Sequence, residues 1–531
     1  MTALTGMGRL SRLILRRDRV RLPLWIIVFV LLVIAAISGF TELLPTEQAR
    51  QGYYTGTADT PAIIAMLGPV YSSDLGGLVA QRTGFLFVIV PLISLLTVIR
   101  HTRTEEEAGR RELLGATVVG RDAALSAALL VTCAADLALG VLIALGMMGQ
   151  GLAASGAFAY GLGLALAGWV FAAVGALTAQ LTESAAGARG IGLAALGLVY
   201  ALRMAGDTSA GAGWSWWLSP IGWGQHMRAF GDERWWLLLL PLVTTAVLAG
   251  VAYPLAARRD LGAGVLPTRP GPAGATPLLG SPLGLAWRLH RGSLAGWAAG
   301  FVVIGVAYGG TADAVKQALA QSPELREVFA RLGGGAAFAD IFIVSIMSVL
   351  ALMAAGYAIQ AALRMRAEEA ALRTEPVLGT AVSRLRWAAS HLLFAALGPA
   401  VVLALGGVSA GLVYGASTGD MGRDLPRMLI AALVQLPAVW VLGAVAVLLF
   451  GLLPRYAAGA WVALGACLVL GQLGAILQLD QAILDVSPFT HTPRFPSVDL
   501  TVTPLAWLVG VAVVLAGIGL AGFRRRDVPV T

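Results

Sequence analysis

Lysine is nearly missing from this chain. Lys316 is the single lysine among 37 basic residues, and the other 36 are arginine. A phosphate-binding loop of the form GxxxxGK[ST] needs a lysine to reach the phosphates. Lys316 lies in DAVKQAL, followed by Gln317, so the chain has no such device for nucleotide. Charge of either sign is also scarce. Charged residues make up 12% of the 531 positions against 58% apolar, too few to cover a water-soluble globule of this size. The two cysteines, Cys133 and Cys467, lie in apolar stretches, which excludes a disulfide framework or zinc site and leaves packing roles. The five histidines, His101, His226, His290, His391 and His491, share no ligand spacing, so no metal centre is expected. With no GxSxG elbow or HExxH helix, nothing supports a hydrolase, and no catalytic residue is assigned. The net charge of +8, carried by arginine beside abundant alanine and glycine, reads as GC-rich codon usage rather than a nucleic-acid partner.

What is present in quantity is long apolar sequence, with a mean hydropathy of +0.79. About 20 residues at a rise of 1.5 Å cross a hydrocarbon core of roughly 30 Å, and the runs lack strand-like alternation. The expected fold is an all-α polytopic membrane protein with twelve transmembrane helices. The spans are placed at 22–42, 82–100, 122–149, 156–181, 187–206 and 235–257, then 294–311, 338–363, 388–415, 426–452, 457–479 and 503–523. The basic stretch 1–21 precedes the first, and a run too long for a cleaved signal makes 22–42 a retained span. Residues 258–282 are rich in proline and glycine, as a linker between a six-span unit at 22–257 and another at 283–531.

The two halves echo one another. Arg103 to Arg121, RTEEEAGRRELLGATVVGR, aligns with Arg366 to Arg384, RAEEAALRTEPVLGTAVSR, at nine identical positions of nineteen. Other landmarks recur in the same order: Arg16, Arg19, Leu22 and Trp25 with Arg288, Arg291, Leu294 and Trp297; Ser219-Pro220 with Ser487-Pro488; and Arg259-Asp260 with Arg526-Asp527. An even number of spans per unit gives both copies the same orientation, a parallel repeat. With the N-terminus inside, 26 of the 37 basic residues fall on the inner side. The positive-inside rule then makes both termini and both charged loops cytoplasmic.

Each charged loop reads as a short helix in water, since Glu106 and Arg110, Glu107 and Arg111, and Glu369 and Arg373 are spaced i, i+4 with the acid first. Topology needs only the arginines, so the retained acids point to a docking surface for a cytosolic partner. Gly8 to Arg21 places Leu10, Leu13 and Ile14 on one face and arginines on the other, as a helix lying on the inner membrane surface. Asp136, near the middle of span three, either lines a transport path or pairs structurally with a neighbour. Arg203 is expected to snorkel to the outer interface, and His290 to lie on the surface. Trp214, Trp216, Trp217, Trp223, Trp235 and Trp236 form an outer aromatic belt or, alternatively, an apolar exit vestibule.

The stretches EEEAGRRELLGATVVGR, EEAALRTEPVLGTAVSRLRW and SRLILRRDRVRLPLW, with the pair LSPIGW and VSPFTH, resemble the twelve-span permeases of the actinobacterial exporter of polyketide antibiotics group. That group is similar to two ABC-2 type permeases fused in one chain. The resemblance implies two parallel six-helix ABC-2-like repeats, each with a coupling helix between its second and third spans that rests in a separate cytosolic ATPase subunit, expected in two copies. The coupling residues would be Glu105, Glu106, Arg110, Arg111, Glu112 and Arg121 in the first loop. Glu368, Glu369, Arg373, Glu375 and Arg384 would serve in the second. ATP and magnesium would belong to the partner, and this chain would bind no cofactor, acting on a small-molecule substrate among plasma-membrane lipids. In the second loop Leu372 replaces Gly109, and Pro376 replaces Leu113 and should end or bend the helix, so the first loop is expected to matter more. The expected function is outward export of amphipathic or apolar antibiotics and drugs. The rivals are a proton-coupled exporter, for which membrane-embedded acids are scarce, and an enzyme acting on lipid-linked substrates, for which the outer acids are scattered.

Overall fold

The structure, a computed structural model, describes residues 2–58, 61–115, 117–208, 210–266, 273–309, 335–473 and 480–527. Lys316, residues 267–272 of the linker, the ends of spans seven and eleven at 310–311 and 474–479, and the terminal 528–531 lie outside the described residues. The described residues are helical and carry no strand, and eleven helices among them are long and apolar enough to cross a membrane. The protein is an all-α polytopic membrane protein. A shorter apolar helix, Gly459–Gly471, stands where span eleven was expected.

The chain divides into two compact units, Met1–Gly271 and Pro272–Thr531. In the first, the helices Leu86–His101, Ala123–Gly149 and Ala154–Leu181 form the centre, with Val90, Leu95, Leu139 and Leu164 fully enclosed. Lipid tails are as apolar as leucine, so such helices hold together by close packing of small residues. Gly140 and Gly161 meet backbone to backbone, and a Cβ on either would collide with the other's carbonyl oxygen. In the second unit the helices Gly335–Ala370, Arg384–Thr418 and Leu436–Leu452 enclose Leu350, Val402 and Val439 in the same manner.

Two boundaries depart from the sequence reading. Span seven begins well before residue 294, because Pro282–Gly309 is one continuous helix. In the first unit the corresponding stretch is broken at Asp18, so that Met7–Arg17 stands apart from Arg21–Leu43. Span ten is interrupted as well, into Met421–Leu433 and Leu436–Leu452. Pro437 opens the second piece in the first turn, where its missing N–H is no loss. The helix Met7–Arg17 also uses its apolar face differently. Leu10 and Ile14 pack on Ala123, Ala127 and Val131 of the protein itself, and Leu13 is left exposed.

The start of the linker is docked. After Arg258 ends the sixth helix of the unit, Val265 and Leu266 donate backbone N–H groups to the carbonyls of Gln180 and Leu181 at 3.0 and 2.9 Å. These are carbonyls at a helix C-terminus that would otherwise lack partners.

Candidate functional site

The first charged loop is two short helices, Arg103–Glu107 and Arg110–Gly115, and the turn between them passes through Gly109 at φ 69°. Only glycine takes that conformation without steric cost. The turn re-aims the side chains, and among the described residues the expected pairs Glu106–Arg110 and Glu107–Arg111 do not form. Arg110 instead reaches back to Glu105, donating from Nε at 2.7 Å and from Nη2 at 2.9 Å, and Arg17 approaches the same carboxylate at 2.8 Å. Donating to the Glu105 carboxylate holds the Arg110 guanidinium above its ordinary pKa.

Glu106 turns inward and is buried. Arg259, just beyond the sixth helix, donates Nη1 to Oε1 at 2.5 Å and Nη2 to Oε2 at 2.8 Å, and the Gly262 N–H adds a third bond at 2.7 Å. Arg103 at 3.2 Å and Arg111 at 3.7 Å complete the surround. Arg103 itself is enclosed and donates to the Gly262 carbonyl at 2.9 Å. Burial, opposed by the charge of Glu106, lowers the pKa of Arg111. Glu107 accepts the Ala185 N–H at 3.1 Å and so caps the start of the helix Ala185–Thr208, where negative charge is favoured.

The second loop repeats the arrangement. Arg373 donates to Glu368 at 2.7 and 3.2 Å, with Arg364 at 2.8 Å from the same carboxylate. Arg526, just beyond the last helix, donates to both oxygens of Glu369 at 2.6 and 2.8 Å, and Arg366 stands 3.7 Å away. Arg526 also lies over the rings of Phe450 and Phe523. Arg384 donates to the Arg526 carbonyl at 2.6 Å. Pro376 does not break a helix. It sits in the opening turn of Thr374–Leu378, where its missing N–H would be unpaired anyway. The break falls earlier, at Leu372, whose φ is 56°.

Of the expected coupling residues, Glu106 and Glu369 are therefore buried anchors, and Glu105 and Glu368 are largely covered by arginines. Arg110, Glu112, Arg121, Arg373 and Glu375 face outward, with Arg111 and Arg384 partly covered. Leu113, beside Glu112, is 74% exposed. Arg259 and Arg526 stood out in the sequence only as landmarks, and their recurrence beyond the sixth and last spans was the signal that could have named them.

Elsewhere, Asp136 is fully enclosed, with the Ser94 hydroxyl 2.8 and 3.0 Å from its two oxygens. Among the described residues no ion pair to it is formed, and a Cβ at Gly168 would lie 2.6 Å from Oδ2. Arg203 does not snorkel. It is fully buried, donates Nη1 to the Ile64 carbonyl at 2.7 Å and Nη2 to that of Ala65, and stands 3.6 Å from Asp207. Asp207 holds His226 at 2.7 Å, and the other imidazole nitrogen faces the Tyr71 hydroxyl at 3.0 Å. Because a carboxylate only accepts, His226 Nε2 is the donor to Asp207. Burial, then the Asp207 charge, pushes the Tyr71 phenol pKa up. His226 stacks on Trp216, which stacks on Trp217. Trp214, Trp217, Trp235 and Trp236 are exposed.

His290 is not a surface residue. It is buried and shares a 3.0 Å hydrogen bond with His391. In the first unit the aligned Asp18 is bonded to His101 and Arg100. Among the described residues no group of three or more histidine, cysteine, aspartate or glutamate side chains is placed to hold a metal ion, and both cysteines are free.

A family model described as "Multidrug efflux system permease Rv1217c, C-terminal domain" matches residues 279–524. Over 525 residues the chain is 43% identical to the multidrug efflux system permease protein Rv1217c of Mycobacterium tuberculosis (strain ATCC 25618 / H37Rv), covering 99% of this chain and 95% of the relative.

Proposed function

From the premise that the chain belongs to the family of the multidrug efflux system permease Rv1217c, we propose that it is the transmembrane subunit of an ATP-binding-cassette exporter. It moves amphipathic or apolar molecules, polyketide-like antibiotics and mixed drugs, outward across the plasma membrane, powered by a separate cytosolic ATPase that carries the ATP and magnesium. In this reading the chain has twelve spans as two parallel ABC-2-like units, with both termini cytoplasmic. The observation that carries it is the recurrence of one charged-loop architecture in both units: an acid bound by the arginine five residues on, beside a second acid anchored to the end of the unit's last helix. Two copies of one rigid loop suit two copies of a partner. The outward face of each, with Arg110, Glu112 and Leu113 in the first and Arg373 and Glu375 in the second, is the docking surface. ATP-driven closure of the partner biases the units between inward-open and outward-open states, provided nucleotide and substrate each favour a different one.

A proton-coupled exporter is the second reading, favoured by the enclosed carboxylate of Asp136. Uptake of a fluorescent amphipathic drug into inverted membrane vesicles separates the two. Co-expression with the partner ATPase should give uptake that needs ATP hydrolysis and survives an ionophore that dissipates the proton gradient, and the purified chain alone should hydrolyse no ATP. Uptake without ATP that the ionophore abolishes would establish the second reading in its place.

A further inference from the structure

The deepest contact of each charged loop is not with its neighbours in sequence. Glu106 is held by Arg259 across 153 residues, and Glu369 by Arg526 across 157. Each arginine follows directly on the last helix of its unit, Leu239–Arg258 in the first and Val502–Arg525 in the second. Both pairs are two-pronged and parallel, the geometry in which a guanidinium fixes direction as well as distance. A pair needed only for topology or solubility would be exposed and loosely matched. These are buried at the carboxylate, with side-chain exposures of 3% for Glu106 and zero for Glu369. Each arginine is held from behind: Arg259 donates to Gln180 at 2.8 Å and to the Ala263 carbonyl at 2.9 Å, and Arg526 is stacked on Phe450 and Phe523.

We propose that Arg259 and Arg526 are positioning residues for transport, each making its charged loop and the inner end of its unit's last helix move as one body. A push on the loop is then delivered to that helix through two charge-assisted hydrogen bonds. The last helices are among the least enclosed in their units. In the first unit the docked residues Gly262 to Leu266 widen the same body, tying it to Glu106 and to the end of the helix Ala154–Leu181. The proposal rests on the reading that the loops receive force from an ATPase.

The experiment uses the full chain with its partner ATPase in proteoliposomes, reading drug transported per ATP hydrolysed. Arg259→Ala and Arg526→Ala should hydrolyse ATP near the wild-type rate yet move roughly tenfold less drug per ATP, within the usual span of coupling strengths. Arg259→Lys, which keeps the charge but only one prong, should fall between. A purely structural role would lower both rates together and leave the ratio alone, which overturns the proposal. A second measurement does not depend on the ATPase: spin labels at Ala108 and Leu261, both exposed, should give a narrow distance distribution that broadens in Arg259→Ala and Arg259→Lys. Equal widths in all three would also overturn the proposal. If the wild type shows no ATP-dependent transport while the label distances broaden as expected, the coupling reading fails and the rigid body stands.

Discussion

Leu372 holds, at φ 56°, the left-handed backbone conformation that Gly109 holds at φ 69° at the aligned position of the other loop. A leucine there costs about 1–2 kcal/mol, so the second loop keeps the turn against its own residue preference, helped by the two hydrogen bonds that Arg373 donates to Glu368. Space does not limit the first position, since a Cβ at Gly109 meets nothing within 4 Å. Gly109→Leu should therefore lower stability by about 1–2 kcal/mol through backbone strain alone. Leu372→Gly should be close to neutral, because relief of strain is offset by about 0.5–1 kcal/mol of added chain entropy. Thermal unfolding in detergent by tryptophan fluorescence checks both, and equal losses at the two positions would contradict the account.

Glu106 and Glu112 are six residues apart and should behave oppositely. Reversing Glu106 places a cation among Arg103, Arg111 and Arg259. Breaking a buried pair in this way costs about 3–5 kcal/mol, so Glu106→Arg should fall sharply in membrane abundance. Viewed as sequence, Glu106 belonged to a short helix in water, whereas the structure buries it. Glu112→Arg should stay within about 0.5 kcal/mol of wild type and, in the coupling reading, still weaken binding of the ATPase. Abundance by immunoblot and co-purification of the partner separate the two effects.

Gly168 and Asp136 form a pair in which one side chain has grown into the space the other lacks. Gly168→Ala should destabilise by about 1–3 kcal/mol, the usual cost of overpacking. Asp136→Ala should leave room for the added methyl, so the double variant should lose less than the sum of the singles. Strict additivity would show that the contact at Gly168 is not what limits the site.

Cysteines at Ala108 and Ser383 should be protected from an impermeant thiol reagent in intact cells, and cysteines at Asp232 and Thr490 should be labelled. All four positions are exposed, so reactivity reports sidedness rather than burial. Ser215 is unsuitable, being buried with its hydroxyl bonded to the Leu202 carbonyl. Labelling of Ala108→Cys from outside would reverse the positive-inside assignment.

Long apolar runs made the helices legible, because hydrocarbon length and backbone hydrogen bonding leave few alternatives. The Ser219-Pro220 landmark, read only as a repeated pair, turns out to be a helix start in which Ser219 accepts the Gly222 N–H with Pro220 in the first turn. What could not be read was direction. Helical periodicity paired Glu106 with Arg110, but one left-handed residue between them sent Arg110 to Glu105 and Glu106 to Arg259. Arg203 was misjudged for a related reason: its distance from the span's end suggested an escape to water, whereas the carbonyls of Ile64 and Ala65, supplied from far along the chain, receive it. Hydropathy also could not separate the continuous helix Pro282–Gly309 from the broken pair in the first unit, since Arg16 and Arg19 recur there as Arg288 and Arg291.

The separation between Glu106 and Arg259 sets an order of events during synthesis. The arginine is made 153 residues after the acid, a delay of roughly 8–30 s at about 5–20 residues per second. Throughout that interval the carboxylate has only Arg103 and Arg111 beside it, and the loop waits in an unfinished form. The last helix of the unit thus serves as a seal on assembly: until it and the arginine behind it have been made, Glu106 lacks its two-pronged partner.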